Sequence, residues 1–109
     1  MPESTERGAL TEAVFYILLS VHEPMHGYAI MQNINKLSDG RVTLGAGTLY
    51  GAINTLLGKG WIAALPGEKN SRTKQYEITA PGREITKNEI TRLKELVATG
   101  EIITEGSHK

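Results

Sequence analysis

The sequence predicts a mainly α fold with a two-stranded β-wing and a long C-terminal helix, and three observations carry that prediction. Apolar residues recur at helical spacing in four separate stretches. Between the third and the fourth stand two short segments of strand-forming character, Trp61 to Leu65 and Gln75 to Thr79. The positive charge is concentrated over the ribbon and its flanks, residues 59–83. A chain of 109 residues holds one core, because two cores would each fall below the size at which burial alone sustains folding.

In the first helix Leu10, Val14, Ile17 and Val21 share one face, while Phe15 and Leu19 fall on another. So small a chain has few elements to cover both sides of a helix, and the second face predicts a dimer. Pro24 keeps that helix ended, since proline cannot donate a backbone hydrogen bond and pushes the preceding residue out of the helical region. The segment from Glu23 to His26 then reads as a surface turn. A second helix starts after Gly27, carries Ile30, Met31, Ile34 and Leu37, and stops at Ser38-Asp39-Gly40. The third runs from about Ala46 to Leu57 with Leu49, Ile53, Leu56 and Leu57 inward, and Gly58-Lys59-Gly60 stops it. The ribbon follows, with Pro66-Gly67 and Asn70-Ser71 supplying turn chemistry between its strands. Thr79 is the predicted N-cap of the fourth helix, and Pro81 is tolerated in its first turn. That helix is expected to reach about Thr99, with Ile85, Ile90, Leu93, Leu96 and Val97 along a stripe ~140° wide. Ile102 and Ile103 continue the apolar pattern beyond Gly100.

Composition narrows the function. Hydrophobic residues make up 39% and charged residues 22% of the chain, as in globular proteins rather than disordered ones. There is no cysteine, which excludes disulfides, thiolate metal sites and cysteine nucleophiles. The longest apolar run, Ala13 to Leu19, is far short of a membrane span, and Met-Pro-Glu-Ser-Thr-Glu is no basic leader, so a cytoplasmic location is expected. The net charge is zero but unevenly spread: residues 1–23 carry −3, residues 24–58 carry +1, residues 59–83 carry +3 and the remainder −1.

Helix, turn, helix, turn, helix and a basic ribbon is the order of a winged helix-turn-helix, whose third helix enters the major groove while the ribbon touches the backbone. Opposite the inward residues of the third helix stand Gly47, Gly51, Asn54, Thr55 and Gly58. Glycine in an exposed helix interior costs up to ~1 kcal/mol relative to alanine, so several on one face suggest close approach to another backbone, or else a short helix with a tolerant surface.

Gly27-Tyr28-Ala29-Ile30, Gly47-Thr48-Leu49-Tyr50-Gly51-Ala52-Ile53, and Arg72 to Thr79 leading into Gly82-Arg83 resemble the PadR family of bacterial transcriptional regulators. The resemblance extends from about Leu10 to Val97 and is closest to the short subfamily with a single C-terminal helix. It implies a winged-helix DNA-binding domain over residues 1–79, and a dimerisation helix with its tail over residues 80–109, in one continuous unit. Many members carry proline after the Leu-Tyr pair and charged residues further along that helix; here Gly51, Asn54, Thr55 and Leu57 stand there. An uncharged third helix shifts phosphate neutralisation onto Lys69, Arg72 and Lys74, which otherwise read as a solvated hairpin tip. The DNA-binding candidates are Thr43, Gly47, Thr48, Tyr50, Asn54, Lys69, Arg72 and Lys74. Tyr50 flanks the core stripe, either reaching a phosphate through its hydroxyl or serving as a core tyrosine with a wet hydroxyl. Phe15, Leu19, Ile90, Leu93 and Val97 are the dimerisation candidates. The expectation is a homodimeric repressor on a pseudo-palindromic DNA operator, with no cofactor, no membrane partner and no enzymatic activity. The alternative is a module that senses a small aromatic compound or drug at the dimer interface.

His22-Glu23-Pro24-Met25-His26 matches the zinc-protease pattern H-E-x-x-H. Pro24 interrupts the helix that pattern needs, which leaves a metal-dependent hydrolase as a distant reading. Gly45-Ala46-Gly47-Thr48 lacks the lysine and the preceding strand of a phosphate-binding loop.

Overall fold

The computed structural model describes residues 9–66 and 74–105. In chain order the elements are α1 (Glu12–Ser20), β1 (Met25–His26), α2 (Gly27–Leu37), α3 (Ala46–Lys59), β2 (Ile62–Leu65), β3 (Gln75–Ile78) and α4 (Ala80–Thr104). Each of three helices begins on a side chain that accepts a bond from an otherwise orphaned backbone amide. Thr11 Oγ1 accepts from the Val14 N–H at 3.1 Å, His26 Nδ1 from Ala29 at 3.3 Å and Thr79 Oγ1 from Gly82 at 3.1 Å. Helix α3 ends at Gly60, whose φ of 78° is left-handed, with the Gly60 N–H on the Leu57 carbonyl at 3.0 Å and Trp61 on Leu56 at 3.1 Å. That paired termination turns the chain directly into β2.

The core comprises Ile17, Leu18 and Val21 from α1 and its cap, Ile30 and Ile34 from α2, Leu49, Ile53 and Leu56 from α3, and Ile62, Tyr76 and Ile78 from the sheet. Leu10 and Val14 lie partly buried at its edge. Ser20 is the buried polar link between α1 and α2: its hydroxyl donates to the Tyr16 carbonyl at 2.9 Å and accepts from Asn33 Nδ2 at 2.9 Å.

The expected two-stranded wing is present as β2 and β3, and the structure adds a third strand to it. The sheet has three antiparallel strands in the order β1-β3-β2, with Met25 opposite Tyr76, His26 opposite Gln75, and Ile62 to Leu65 opposite Ile78 to Gln75. Met25 and His26, read as part of a surface turn, are instead an edge strand on β3. Pro24 favours extended backbone in its predecessor, and the strand completes pairing that β3 would otherwise leave open on one side. The last helix also outruns its predicted end, passing Gly100 to reach Thr104. Its 25 residues give it a length of about 37 Å, which contributes to a molecule 65 Å long and 27 by 26 Å across.

Two close approaches fix where α4 starts. The Thr79 hydroxyl donates to the Gly60 carbonyl at 2.6 Å. At Gly82, a β-carbon would overlap the Trp61 carbonyl oxygen, so the helix can seat against the start of β2 only with glycine there.

Candidate nucleic-acid interface

Helix α3 is anchored by its inner face. Leu49 and Ile53 are fully buried and Leu56 nearly so, whereas Gly47, Thr48, Gly51, Asn54, Thr55 and Gly58 are exposed. A β-carbon added at Gly47, Gly51 or Gly58 would meet no heavy atom within 4 Å. The fold itself therefore does not demand glycine at these positions. What they provide is a low outer surface, along which a second molecule's backbone can come closer than any side chain would permit. Asn54 stands on that surface with a donor and an acceptor.

The start of α3 faces the same way electrostatically. Its N-cap, Gly45, has no side chain to satisfy the first-turn amides, so those of the Ala46 to Thr48 turn are available to an anion, where the helix dipole favours negative charge. Thr43 is exposed just ahead of it, and its hydroxyl accepts from Asn35 Nδ2 at 3.0 Å, which ties the α2–α3 turn to α2. Tyr50 is 41% exposed, and its ring leans across the first turn of α2: a β-carbon on Gly27 would overlap the Tyr50 hydroxyl. That hydroxyl thus sits beside Gly27, with the exposed Tyr28 next along the chain. Burial and then the nearness of Tyr50 push the Tyr76 phenol above its ordinary range.

Of the basic candidates, Lys74 is exposed immediately before β3. Lys69, Arg72 and the predicted turn residues between Gly67 and Ser71 lie outside the described residues. Lys59, the last residue of α3, places its ammonium 5.2 Å from the centre of the Trp61 ring.

The dimerisation candidates form two groups. Phe15 and Leu19 are half-buried on α1. On α4, Ile90 is 38%, Leu93 37% and Val97 57% exposed, an apolar strip that the other described residues leave open. Leu96, Ile102 and Ile103 are more exposed than Ile90 and Leu93. Between α1 and α4 opens a cleft of about 340 Å³ lined by Leu10, Phe15, Tyr16 and Leu93, with Glu12, Glu89 and Arg92 at its polar side. Glu89 was missed by the sequence reading. Its carboxylate is held below the usual range chiefly by the Arg92 guanidinium, which outweighs the opposing effect of burial, and the Leu10 amide adds to the lowering. Glu12 is lowered in the same direction by its ion pair with Arg41, at an exposed site.

The two histidines of the H-E-x-x-H pattern serve separate local roles. His22 Nδ1 lies 2.9 Å from the Leu18 carbonyl, whereas His26 Nδ1 caps α2. The chain turns at His22 and Glu23 and enters the strand at Met25, so the unbroken helix that pattern needs is absent. Among the described residues, no group of three His, Cys, Asp or Glu is placed to hold a metal ion, and no helix is long and apolar enough to cross a membrane.

Residues 14–88 match the "Transcriptional regulator PadR-like family". Among solved structures, the chain is similar to a transcriptional regulator from Clostridium thermocellum, with 26% identity, a TM-score of 0.67, and coverage of 94% of this chain and 96% of that one. It is also similar to a PadR-like transcription factor from Bacteroides fragilis, with 25% identity, a TM-score of 0.71, and coverage of 94% and 97%. A PadR family regulator from Eggerthella lenta, 23% identical with a TM-score of 0.70 over 94% of this chain and 88% of that one, shares the fold. A curated relative, an uncharacterized 37.1 kDa protein in transposon TN4556 of Streptomyces fradiae, is 39% identical over 66 residues, 61% of this chain. The match spans only 18% of that relative's length.

Proposed function

The chain belongs to the PadR-like family of transcriptional regulators, and we propose that it acts as a homodimeric repressor that occupies a pseudo-palindromic operator. It is a DNA-binding regulator, not an enzyme. The observation that carries the finer reading is the outward face of α3, where glycines, Asn54 and Thr55 form a low, uncharged surface opposite a fully anchored inner face. A helix of this kind lies deep in a major groove ~12 Å wide. Thr48 and Asn54 meet base edges there, with Tyr50 at the rim, while the Gly47 amide and Thr43 meet phosphates at the helix start. Lys69, Arg72 and Lys74 supply charge to the backbone beside the groove.

Residues 1–79 form the reading unit in this proposal, and residues 80–109 join two copies. Phe15, Leu19, Ile90, Leu93 and Val97 are covered by the second copy, and two-fold symmetry presents the two α3 helices about one helical turn apart, or a multiple of it, on one face of the duplex. A small aromatic effector fits the α1–α4 cleft, and Phe15 and Tyr16 in its lining support that second reading.

The test is an electrophoretic shift with the DNA upstream of the protein's own gene and with a pool of random duplexes. A retarded, sequence-dependent band is expected. No shift with either probe at low salt overturns the reading. Sedimentation tests the assembly: wild type should be dimeric at micromolar concentration, and Leu93→Glu with Val97→Glu should be monomeric with little operator affinity, because burying unpaired charge is costly. A monomeric wild type overturns the homodimer.

A further inference from the structure

Glu89 is the one charged side chain buried among the described residues, at 2% exposure, and DNA reading as proposed makes no use of it. It sits where α4 leaves the body of the protein. Gly82, Thr86 and Glu89 are the buried residues of that helix, and none of those after Glu89 up to Glu105 is buried. The carboxylate is fully engaged: Oε1 accepts from Arg92 Nε at 2.8 Å, and Oε2 accepts from Arg92 Nη2 at 2.6 Å and from the Leu10 backbone N–H at 3.2 Å.

Cohesion is a poor explanation for a carboxylate in that place. Desolvating a charge costs more than burying an apolar side chain of similar volume, and apolar replacements of buried ion pairs are often neutral or stabilising. A hydrogen bond has what apolar contact lacks, namely a direction. Leu10 lies just ahead of the Thr11 cap of α1, so its bond to Glu89 ties the start of α1 to one point on α4. The seat of Thr79 and Gly82 on Gly60 and Trp61 holds the first turn of α4, and Glu89 adds a second tie two turns further on, beside an open cleft of about 340 Å³ lined by Leu10, Phe15, Tyr16 and Leu93.

We propose that Glu89, clamped by Arg92 and latched to the Leu10 amide, is a positioning residue that sets the angle of α4 on the DNA-reading body and so the half-site spacing the dimer accepts. This rests on the dimeric operator reading above. From Glu89 to Thr104 the helix rises about 22 Å, so a tilt of about 10° at Glu89 moves its far end by about 4 Å. Base pairs are ~3.4 Å apart, and two-fold symmetry applies the same tilt to both copies. Small changes at this latch are therefore on the scale of one base pair of spacing.

The full-length wild type first selects its preferred element from random duplexes. Binding is then measured on duplexes whose half-sites are moved together or apart by one base pair. Wild type should lose roughly tenfold or more on such a change, whereas Glu89→Met, which replaces the carboxylate with an apolar side chain of similar volume, should vary by no more than roughly threefold while staying folded and dimeric. Glu89→Gln retains an acceptor for Leu10 and should fall between the two. Base preference within a half-site should be the same in all three proteins, because α3 is untouched. A folded, dimeric Glu89→Met with wild-type spacing discrimination overturns the latch; if that variant does not fold, unchanged discrimination by Glu89→Gln overturns it instead. A wild type that selects no paired half-sites overturns the dimeric reading itself, and the latch with it.

Discussion

Two glycines in this chain are held by their neighbours, and the neighbours differ in how far they can yield. At Gly82 the obstacle is the Trp61 carbonyl, part of the backbone that starts β2 and already accepts the Thr79 N–H at 3.0 Å. At Gly27 the obstacle is the far end of the Tyr50 side chain, which is partly exposed and can swing aside. Both sites lie in the first turn of a helix, where alanine returns less than the ~1 kcal/mol of helix propensity it returns in an interior. Gly82→Ala should nevertheless cost about 3 kcal/mol, as overpacking against immovable backbone does, and Gly27→Ala about 1 kcal/mol or less. Urea unfolding of the two variants reads this directly, and equal midpoints would show that the start of α4 has slack. Glu89 gives a second prediction at this scale. Its carboxyl lies below the ordinary 4.5 in the folded protein, mainly through Arg92, so its ionised form stabilises the fold fully above that value. The contribution disappears as pH falls through the depressed folded value. Glu12 shifts the same way but is exposed, and its pair with Arg41 is screened. Melting temperature should therefore decline below about pH 4.5, with Glu89→Gln showing a shallower acid limb. Parallel limbs in the two proteins would mean that Glu89 carries no linkage.

At the scale of elements, α3 is where stability and function pull apart. Gly51 is exposed, inside a helix, and has open space where a β-carbon would go. Gly51→Ala should thus raise stability by about 0.5–1 kcal/mol, because alanine restricts the unfolded chain and favours the helix. The same methyl group would stand between α3 and the floor of the groove, so affinity for the selected operator should fall. A variant that is more stable and binds equally well would leave the glycine face with no role in DNA approach. The sequence exposed this face because period 3.6 divides a helix into sides, and Leu49, Ile53 and Leu56 name the inner one. The same logic located all four described helices and the Thr79 cap. It failed at Met25–His26, since two residues carry no period and what makes them a strand is Tyr76 and Gln75, some fifty positions away. It also failed at Glu89, because glutamate with arginine three residues later on a helix has the pattern of a solvated surface pair. Only the arrival of Leu10 from the other end of the chain buries it.

For the whole molecule, the question is how a chain of zero net charge binds a polyanion. In the proposed interface, distance resolves this: charge beyond a Debye length of ~8–10 Å is largely screened, so the +3 of residues 59–83 would outweigh acidic segments elsewhere in the sequence. Each lysine or arginine that meets a phosphate releases about one counterion, and a dimer makes every such contact twice. Of the three wing candidates Lys69, Arg72 and Lys74, Lys74 is the one within the described residues, exposed at the edge of β3. Lys74→Ala should therefore weaken binding to operator and to unrelated duplexes by similar factors, and it should lower the slope of log affinity against log salt by roughly 2 per dimer. Asn54→Ala should behave in the opposite manner, changing which sequences are preferred while leaving the slope within roughly 0.5 of wild type, since an uncharged contact releases no counterion. Titrations on two duplexes at four salt concentrations separate these outcomes. An unchanged slope for Lys74→Ala would make that residue a solvated loop cation and place the electrostatic footprint elsewhere on the surface.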